Sequence, residues 1–525
     1  MKRSLFVWFV LFSVPVMLCG VSGCEEWRSA LYPADWEPGD KDSKGRFLHD
    51  FSYAGYKNGE EDLPTVSGPL FHVTSNGADK TGNDDATSAI QTTINQAQNA
   101  GGGVVYFPQG IYRVEGKLSI SKSKIILRGA GSTKSKIYFT KYSDMNHQAH
   151  ISFTGNVSTQ GNWLLSQDGK NPSDHVFLGS TSGLAIGDEV ALGFTITPEF
   201  RAEHGMSSYW GFSAGNWKTF FRRTITEINS STGKVSFDVP LRYILKTRDG
   251  ASLKKEGGYN HSCGMEKLGL ANAVKYRKAW KQDQVRVAEF VGLKDSWMKE
   301  IRSFEPPVSG VKGKHLQSSG LWVKASKRIT VVDCHLQKAQ HRGGGGNGYL
   351  FQVSQSNEIL TQDCSGSKGR HNFIQGWDFS TSGCVWLRCK TSKGRKLLGW
   401  WDFIGTKGDS DFHHALAMGN LVDSCEVNDG WTAVNRKHWS SGAGHSSTQN
   451  VFWNTVGSGK IKSRQYGWGY VIGTKSVSVS TSTWGYGGSG TAPRDYVEGK
   501  GKGNTLTPAS LYEDQLDRRT NSVSP

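Results

Sequence analysis

Short strand-like runs returning at loose intervals constrain this chain more than any other feature. Ile329-Thr-Val-Val-Asp-Cys334, Glu358-Ile-Leu-Thr-Gln-Asp-Cys364, Cys384-Val-Trp-Leu-Arg-Cys389, Asn420-Leu-Val-Asp-Ser-Cys425 and Asn450-Val-Phe-Trp-Asn-Thr455 end 30, 25, 36 and 30 positions apart. Each is long enough for one strand whose alternate residues face inward, and self-similarity at such a period marks a fold of stacked units. Gly264–Leu270 and Asp295–Arg302 are earlier candidates. Cys334, Cys364, Cys389 and Cys425 hold the same place in successive units, so they are expected to stack as buried packing thiols. Disulfides between them cannot be assigned from sequence. No Cys-x-x-Cys pair occurs, which argues against zinc. The unequal intervals place the variation in the connecting loops, where function concentrates. Residues 195–260 read as one long excursion, with Thr224 to Phe237 hairpin-like.

Upstream, Ser88 to Ala100 carries Ile90, Ile94 and Ala97 on one helical face. Gly101 to Gly103 stop that helix, and Val104–Pro108, Tyr112–Val114 and Lys124–Leu127 follow as strands. Asp84 and Asp85 sit where a helix N-terminus wants acceptors, so capping suits them better than catalysis. The order GADKTGNDDATSAIQTTINQA…GGGVVYFPQGIYRV…KIILRGAG resembles the opening of pectate-lyase-superfamily proteins, over roughly Phe71 to Gly131. That superfamily includes rhamnogalacturonases, polysaccharide lyases, uronan epimerases and phage tailspikes. The resemblance is specific for fold and not for chemistry. It implies an all-β, single-stranded right-handed parallel β-helix with an N-terminal capping helix and long loops forming a groove. On that basis residues 66–500 are expected to form the coil, 24–65 a tether and N-terminal cap, and 501–525 a polar, frayed tail.

The chain opens with Met1-Lys2-Arg3, an apolar Ser4 to Leu18, and Val21-Ser22-Gly23-Cys24. The apolar stretch is too short to span a bilayer comfortably. The last four residues resemble a bacterial lipobox, which implies a lipoprotein signal peptide over 1–23 and lipidation of Cys24. An ordinary secretory signal with a chance cysteine is the alternative. By the same resemblance, Glu25 in place of Asp favours the outer membrane or surface of a Gram-negative bacterium. Acyl chains on Cys24 would hold the protein to the membrane, in an oxidising compartment.

The formal charge is +16, of which Lys2 and Arg3 contribute two, leaving +14 from Cys24 onward. A basic exported body suits a polyanionic partner, and the export signal points to an acidic polysaccharide and away from nucleic acid. No phosphate loop is present: the Gly343–Gly346 run lacks the strand-then-helix setting one requires. The chain is expected to act as a monomer.

Three loops gather His, Arg and Lys: His341-Arg342 before four glycines and Tyr349; Arg370-His371; and Asp409 to His414 with Arg436-Lys437-His438-Trp439 and His445. A uronate lyase must neutralise a carboxylate, take the proton beside it and protonate the leaving oxygen. Arg370 is read as neutraliser, His371 or His413 as base, and Tyr349 or His438 as acid. His341, Arg342, Arg436, Lys437 and His445 are read as substrate-binding, with Trp377, Trp401 and Trp439 as faces for sugar rings. The same indoles would also serve as core. His413 and His414 are adjacent in a strand, so at most one is expected to reach the groove. A glycoside hydrolase would need paired carboxylates instead, for which Asp378, Asp402, Asp409 and Asp411 are available. A non-catalytic glycan-binding coil is the third reading. No ligand spacing is diagnostic of a metal, and calcium, which Asp and Asn oxygens could hold, stays open.

Overall fold

Short strands with inward apolar residues, linked by turns with residues in the left-handed region, wind here into a coil whose rungs pair in parallel. The computed structural model describes residues 26–401, 404–481 and 494–521. It is a right-handed parallel β-helix with one 21-stranded and one ten-stranded parallel sheet along its length. Register is continuous from rung to rung: Thr330 pairs Leu360, then Val385, Leu421, Val451, Tyr470 and Tyr496. The inward residues form one core running the length of the coil, and Cys334, Cys364, Cys389 and Cys425 lie in it. They are buried and unpaired, as are Cys263 and Cys384. The amide of Cys334 donates to Cys364 Sγ at 3.4 Å, the contact expected of a stacked thiol column.

The capping helix runs Thr87–Asn99 and buries Ile90, Thr93, Ile94 and Ala97. Asp85 accepts from the Thr87 amide at its first turn, whereas the amides of Thr81, Asn83 and Asp84 are taken by Asp79. The helix closes the end of the core that would otherwise expose the first rungs.

Two end segments differ from the sequence reading. Residues 27–63 are not a free tether but a strap lying on the outer face of the large sheet. Leu31, Tyr32, Trp36, Leu48, Phe51 and Ala54 pack on Leu360, Val385, Leu421, Val451 and Tyr470. Each such large apolar side chain taken from water contributes about 1.5–3 kcal/mol. The tail is not frayed either. Leu511–Asn521 is a helix burying Leu511, Tyr512 and Gln515, and Tyr512 Oη donates to Ala54 O at 2.8 Å. The polar look of both segments hid the few residues through which they dock.

The excursion is larger than 195–260. Strands from Ser158–Leu164 to Ser252–Gly257 form a six-stranded antiparallel sheet, including the hairpin of Trp217–Asn229 with Lys234–Leu241. Its core, built on Leu192, Phe194, Phe220 and Trp210, continues into Phe379, Leu416 and Met418 of the coil. One buried ion group ties insert, strap and coil. Glu358 of the coil, 1% exposed, pairs with Arg242 at 2.9 Å and Arg223 at 3.4 Å. Arg242 also donates to Asp50 O of the strap at 2.7 Å.

Removing one partner of a buried group leaves the others charged and unpaired. We expect Glu358→Ala to lower stability by about 3–5 kcal/mol, read from denaturant midpoints. A loss under about 1 kcal/mol would show that the group does not hold the three layers together.

Candidate active site

The ten-stranded sheet carries the site. Tyr349–Ser354, His371–Gly376, Ser410–His414, Gly430–Ala433 and Lys460–Ser463 are consecutive rungs of it. Tyr349 pairs His371 in register, and Asp411 pairs Thr432. On a strand, residues two apart share a face, so Asp411 and His413 stand together. Stacking of the rungs brings His371 against them: the His371 and His413 rings are 5.4 Å apart, and the Tyr349 ring lies 5.2 Å from His371 and 6.1 Å from His413.

Asp411 is the hub. Its Oδ2 is 2.7 Å from His413 Nδ1 and 2.6 Å from Arg436 Nη1, and its Oδ1 accepts from Thr432 Oγ1 at 2.5 Å. A carboxylate bound to a guanidinium can only accept, so His413 carries its proton on Nδ1 and turns an unprotonated Nε2 toward Ser440 Oγ, 3.1 Å away. His371 is fixed in the same sense. Its Nδ1 donates to the carbonyl of Asp409, which leaves Nε2 with the lone pair. Among the described residues that Nε2 has no hydrogen-bond partner, although it is buried.

Burial, then the Arg370 charge, holds the pKa of His371 well below the usual histidine value. Burial, then Arg436, does the same to His413. Both imidazoles are therefore neutral at neutral pH. Burial pushes the Tyr349 phenol upward, so it keeps its proton. Arg370 lies over the Tyr349 ring, 5.9 Å from its centre, and donates to Gly343 O at 2.8 Å.

His414 departs from the alternation expected for neighbours on a strand. The register slips between Gln375 and Gly376, so that Gly376 pairs His414. A slip of this kind re-aims side chains, and the His413 and His414 rings lie nearly parallel, 6.4 Å apart. His414 lines a cleft of about 800 Å³ between sheet and insert, with Trp377, Asp378, Trp322, Arg286, Lys324 and Glu289 among its walls. Trp377 meets His414 edge-on at 4.2 Å. The Arg286 guanidinium lies 3.7 Å from the centre of the Trp322 ring, and Lys324 Nζ lies 5.0 Å from it. The cleft thus offers the Trp322 and Trp377 rings together with two cations.

The other sequence candidates fall elsewhere. His438 is exposed and stacks on Trp439, which is 50% exposed, so neither belongs to the buried group. His445 is buried against the insert, between Trp210 and Tyr466. His341 stacks on Trp280 at 4.1 Å and pairs with Asp283 at 3.2 Å. Arg342 lines a separate basic pocket. Lys437 is half-buried in a turn at φ 48°. Trp401 is 43% exposed beside Trp400. Cys24 and Asp402 lie outside the described residues. Sequence reasoning weighed Asp411 only as a hydrolytic carboxylate and missed Arg286, Trp322 and Lys324. The Asp-x-His spacing at 411 and 413 was the available signal for the hub.

The ligand atoms of His371, Asp411 and His413 lie within 4.8 Å of one another. Two imidazoles and one carboxylate suit a transition metal and not calcium, which takes oxygens. Both Asp411 oxygens are already engaged, one of them by a guanidinium, so the group is better organised for moving protons than for holding an ion.

Over 67 residues the chain is 43% identical to alginate lyase 7 of Azotobacter vinelandii, a match spanning 12% of this chain and 8% of that relative. Among solved structures, the tailspike protein gp49 from Pseudomonas phage LKA1 is similar at 12% identity and a TM-score of 0.48, over 76% of this chain and 64% of that one. The A-module of Azotobacter vinelandii mannuronan C-5 epimerase AlgE6 is similar at 12% identity and a TM-score of 0.34, over 82% and 94%. Residues 70–190 match the family model described as rhamnogalacturonase A/epimerase, pectate lyase-like, and so carry that pattern at the start of a right-handed parallel β-helix.

Proposed function

We propose that the protein is a polysaccharide lyase that cleaves a uronate-containing glycan by β-elimination. The observation that carries this is the buried, unpartnered Nε2 of a neutral His371 beside a protonated Tyr349. Arg370 neutralises the substrate carboxylate, which makes the adjacent carbon acidic. His371 Nε2 takes the proton from that carbon, with His413 held by Asp411 behind it. The carbon–oxygen bond to the leaving sugar breaks as the carbon–carbon double bond forms, and Tyr349 donates its proton to the departing oxygen. Trp322, Arg286 and Lys324 give neighbouring sugars an apolar face and cations for their carboxylates.

Three of the four carboxylates weighed for a hydrolase are already committed, and Asp402 lies outside the described residues. Asp378 is bound by Lys218 and Ser213, each at 2.6 Å, Asp409 by Lys462 at 2.9 Å, and Asp411 by Arg436. A glycosidase acid needs the opposite setting, a carboxyl kept protonated in an apolar site.

The protein incubated with polyuronates should produce ultraviolet absorbance of unsaturated uronate together with new reducing ends. His371→Ala and Tyr349→Phe should each lose about 10²–10⁴-fold in kcat. Because the pKa of His371 is lowered, its basic form persists as pH falls, so the acid limb of kcat/KM should lie well below pH 6.5. Reducing ends without absorbance would sink the lyase reading, and neither signal across the panel would favour a glycan-binding coil. The same proposal includes export and anchoring at Cys24. Cys24→Ala should move the protein from the membrane fraction to the soluble one, and an unchanged distribution would contradict the anchor.

A further inference from the structure

A second basic site lies on the turn that feeds the catalytic strands. A pocket of about 290 Å³ is lined by Gly313 and six cations: Lys314, Lys338, Arg342, Lys368, Lys393 and Arg395. Among the described residues no carboxylate is among its walls.

Three of the lysines form a column. Gln337, Ser367 and Ser392 pair in register across successive rungs, and Lys338, Lys368 and Lys393 follow them directly. All three have φ near +60°, at 60°, 57° and 57°. Their amides continue the stacking, Lys338 to Ser367 O at 3.0 Å and Lys368 to Ser392 O at 3.3 Å. Asn or Gly would occupy this backbone region with less strain, and like charges one rung apart repel. Among the described residues none of the three makes an ion pair or a side-chain hydrogen bond. Elsewhere on the coil cations are compensated: Arg388 pairs with Asp363 and Glu513, and Lys390 with Glu426. A lysine repeated on three rungs without a counter-charge is a surface made for an anion that also repeats.

Rungs are about 4.8 Å apart, comparable with the advance of one sugar residue along an extended glycan. The chain also runs from this pocket to the site within one turn, Lys368-Gly369-Arg370-His371. We propose that the Lys338–Lys368–Lys393 column is a subsite for consecutive anionic sugars of an acidic polysaccharide, one charged group per rung. This rests on the reading of the chain as glycan-acting and adds a requirement: the substrate is charged on successive residues and not only on the one that is cleaved.

The test is binding, measured by affinity electrophoresis of the full-length protein with polygalacturonate, polymannuronate, dextran sulfate and neutral dextran at several salt concentrations. In K338N/K368N/K393N, asparagine keeps the turn conformation while three charges go. Affinity for a polyanionic glycan should fall roughly 10- to 100-fold and lose part of its salt dependence, with no binding of dextran by either protein. Loss on the uronans assigns the column to carboxylates, and loss on dextran sulfate alone assigns it to sulfates. Equal affinity and salt slope for both proteins on every glycan would overturn the proposal. K368N alone, with a smaller loss, carries the test if the triple variant melts early. Binding is read without turnover, so a failed lyase assay leaves this outcome interpretable, and turnover with unchanged binding refutes only the subsite.

Discussion

Parallel pairing between rungs is the constraint on which the rest of this molecule depends. Once Thr330, Leu360, Val385, Leu421, Val451 and Tyr470 are locked in one hydrogen-bonded column, the position of a residue in its rung fixes its position in space. Residues about thirty apart in sequence become neighbours at strand spacing. The cysteines become a core column, the turn lysines a charged column, and Tyr349 and His371 an edge-to-face pair from consecutive strands. Apolar outward columns then need cover, which the strap and the terminal helix provide.

The site uses the same ladder differently. Its members sit on the outer face, yet they are nearly as buried as core residues, with Arg370 over Tyr349 and Arg436 and Ser440 against Asp411 and His413. Burial is what makes the chemistry. It keeps His371 and His413 neutral, keeps the proton on Tyr349, and lets the Asp411 and Asp409 oxygens choose which ring nitrogen carries hydrogen. In water neither the tautomer nor the charge state would be fixed so firmly.

Much of the coil was legible in the sequence, because its determinants are local. The capping helix shows in the spacing of Ile90, Ile94 and Ala97, and the cysteine column in where each strand ends. The strap was not legible, since Leu31, Tyr32 and Trp36 are a few apolar residues in a polar stretch with no strand or helix period, and distant partners bury them. The insert was underestimated because its first strands, Ser158–Leu164 and Ser173–Phe177, are rich in polar residues and read as loop. At the site, Arg370, His371, His413 and Tyr349 could be picked out as chemistry-bearing loops, whereas His438 and His445 have the same local look and lie elsewhere. His414 shares a face with His413 only through a register slip that no local pattern announces.

The central claim is that His371 presents an unprotonated Nε2 to a proton of the substrate. Nitrogen-15 NMR of the histidine-labelled protein, with His371→Asn for assignment, reads this directly. The account predicts a protonated Nδ1 and a bare Nε2 for His371 from pH 8 down to well below the usual histidine pKa of about 6.5. A protonated Nε2 at neutral pH, in either the neutral or the doubly protonated ring, would contradict it.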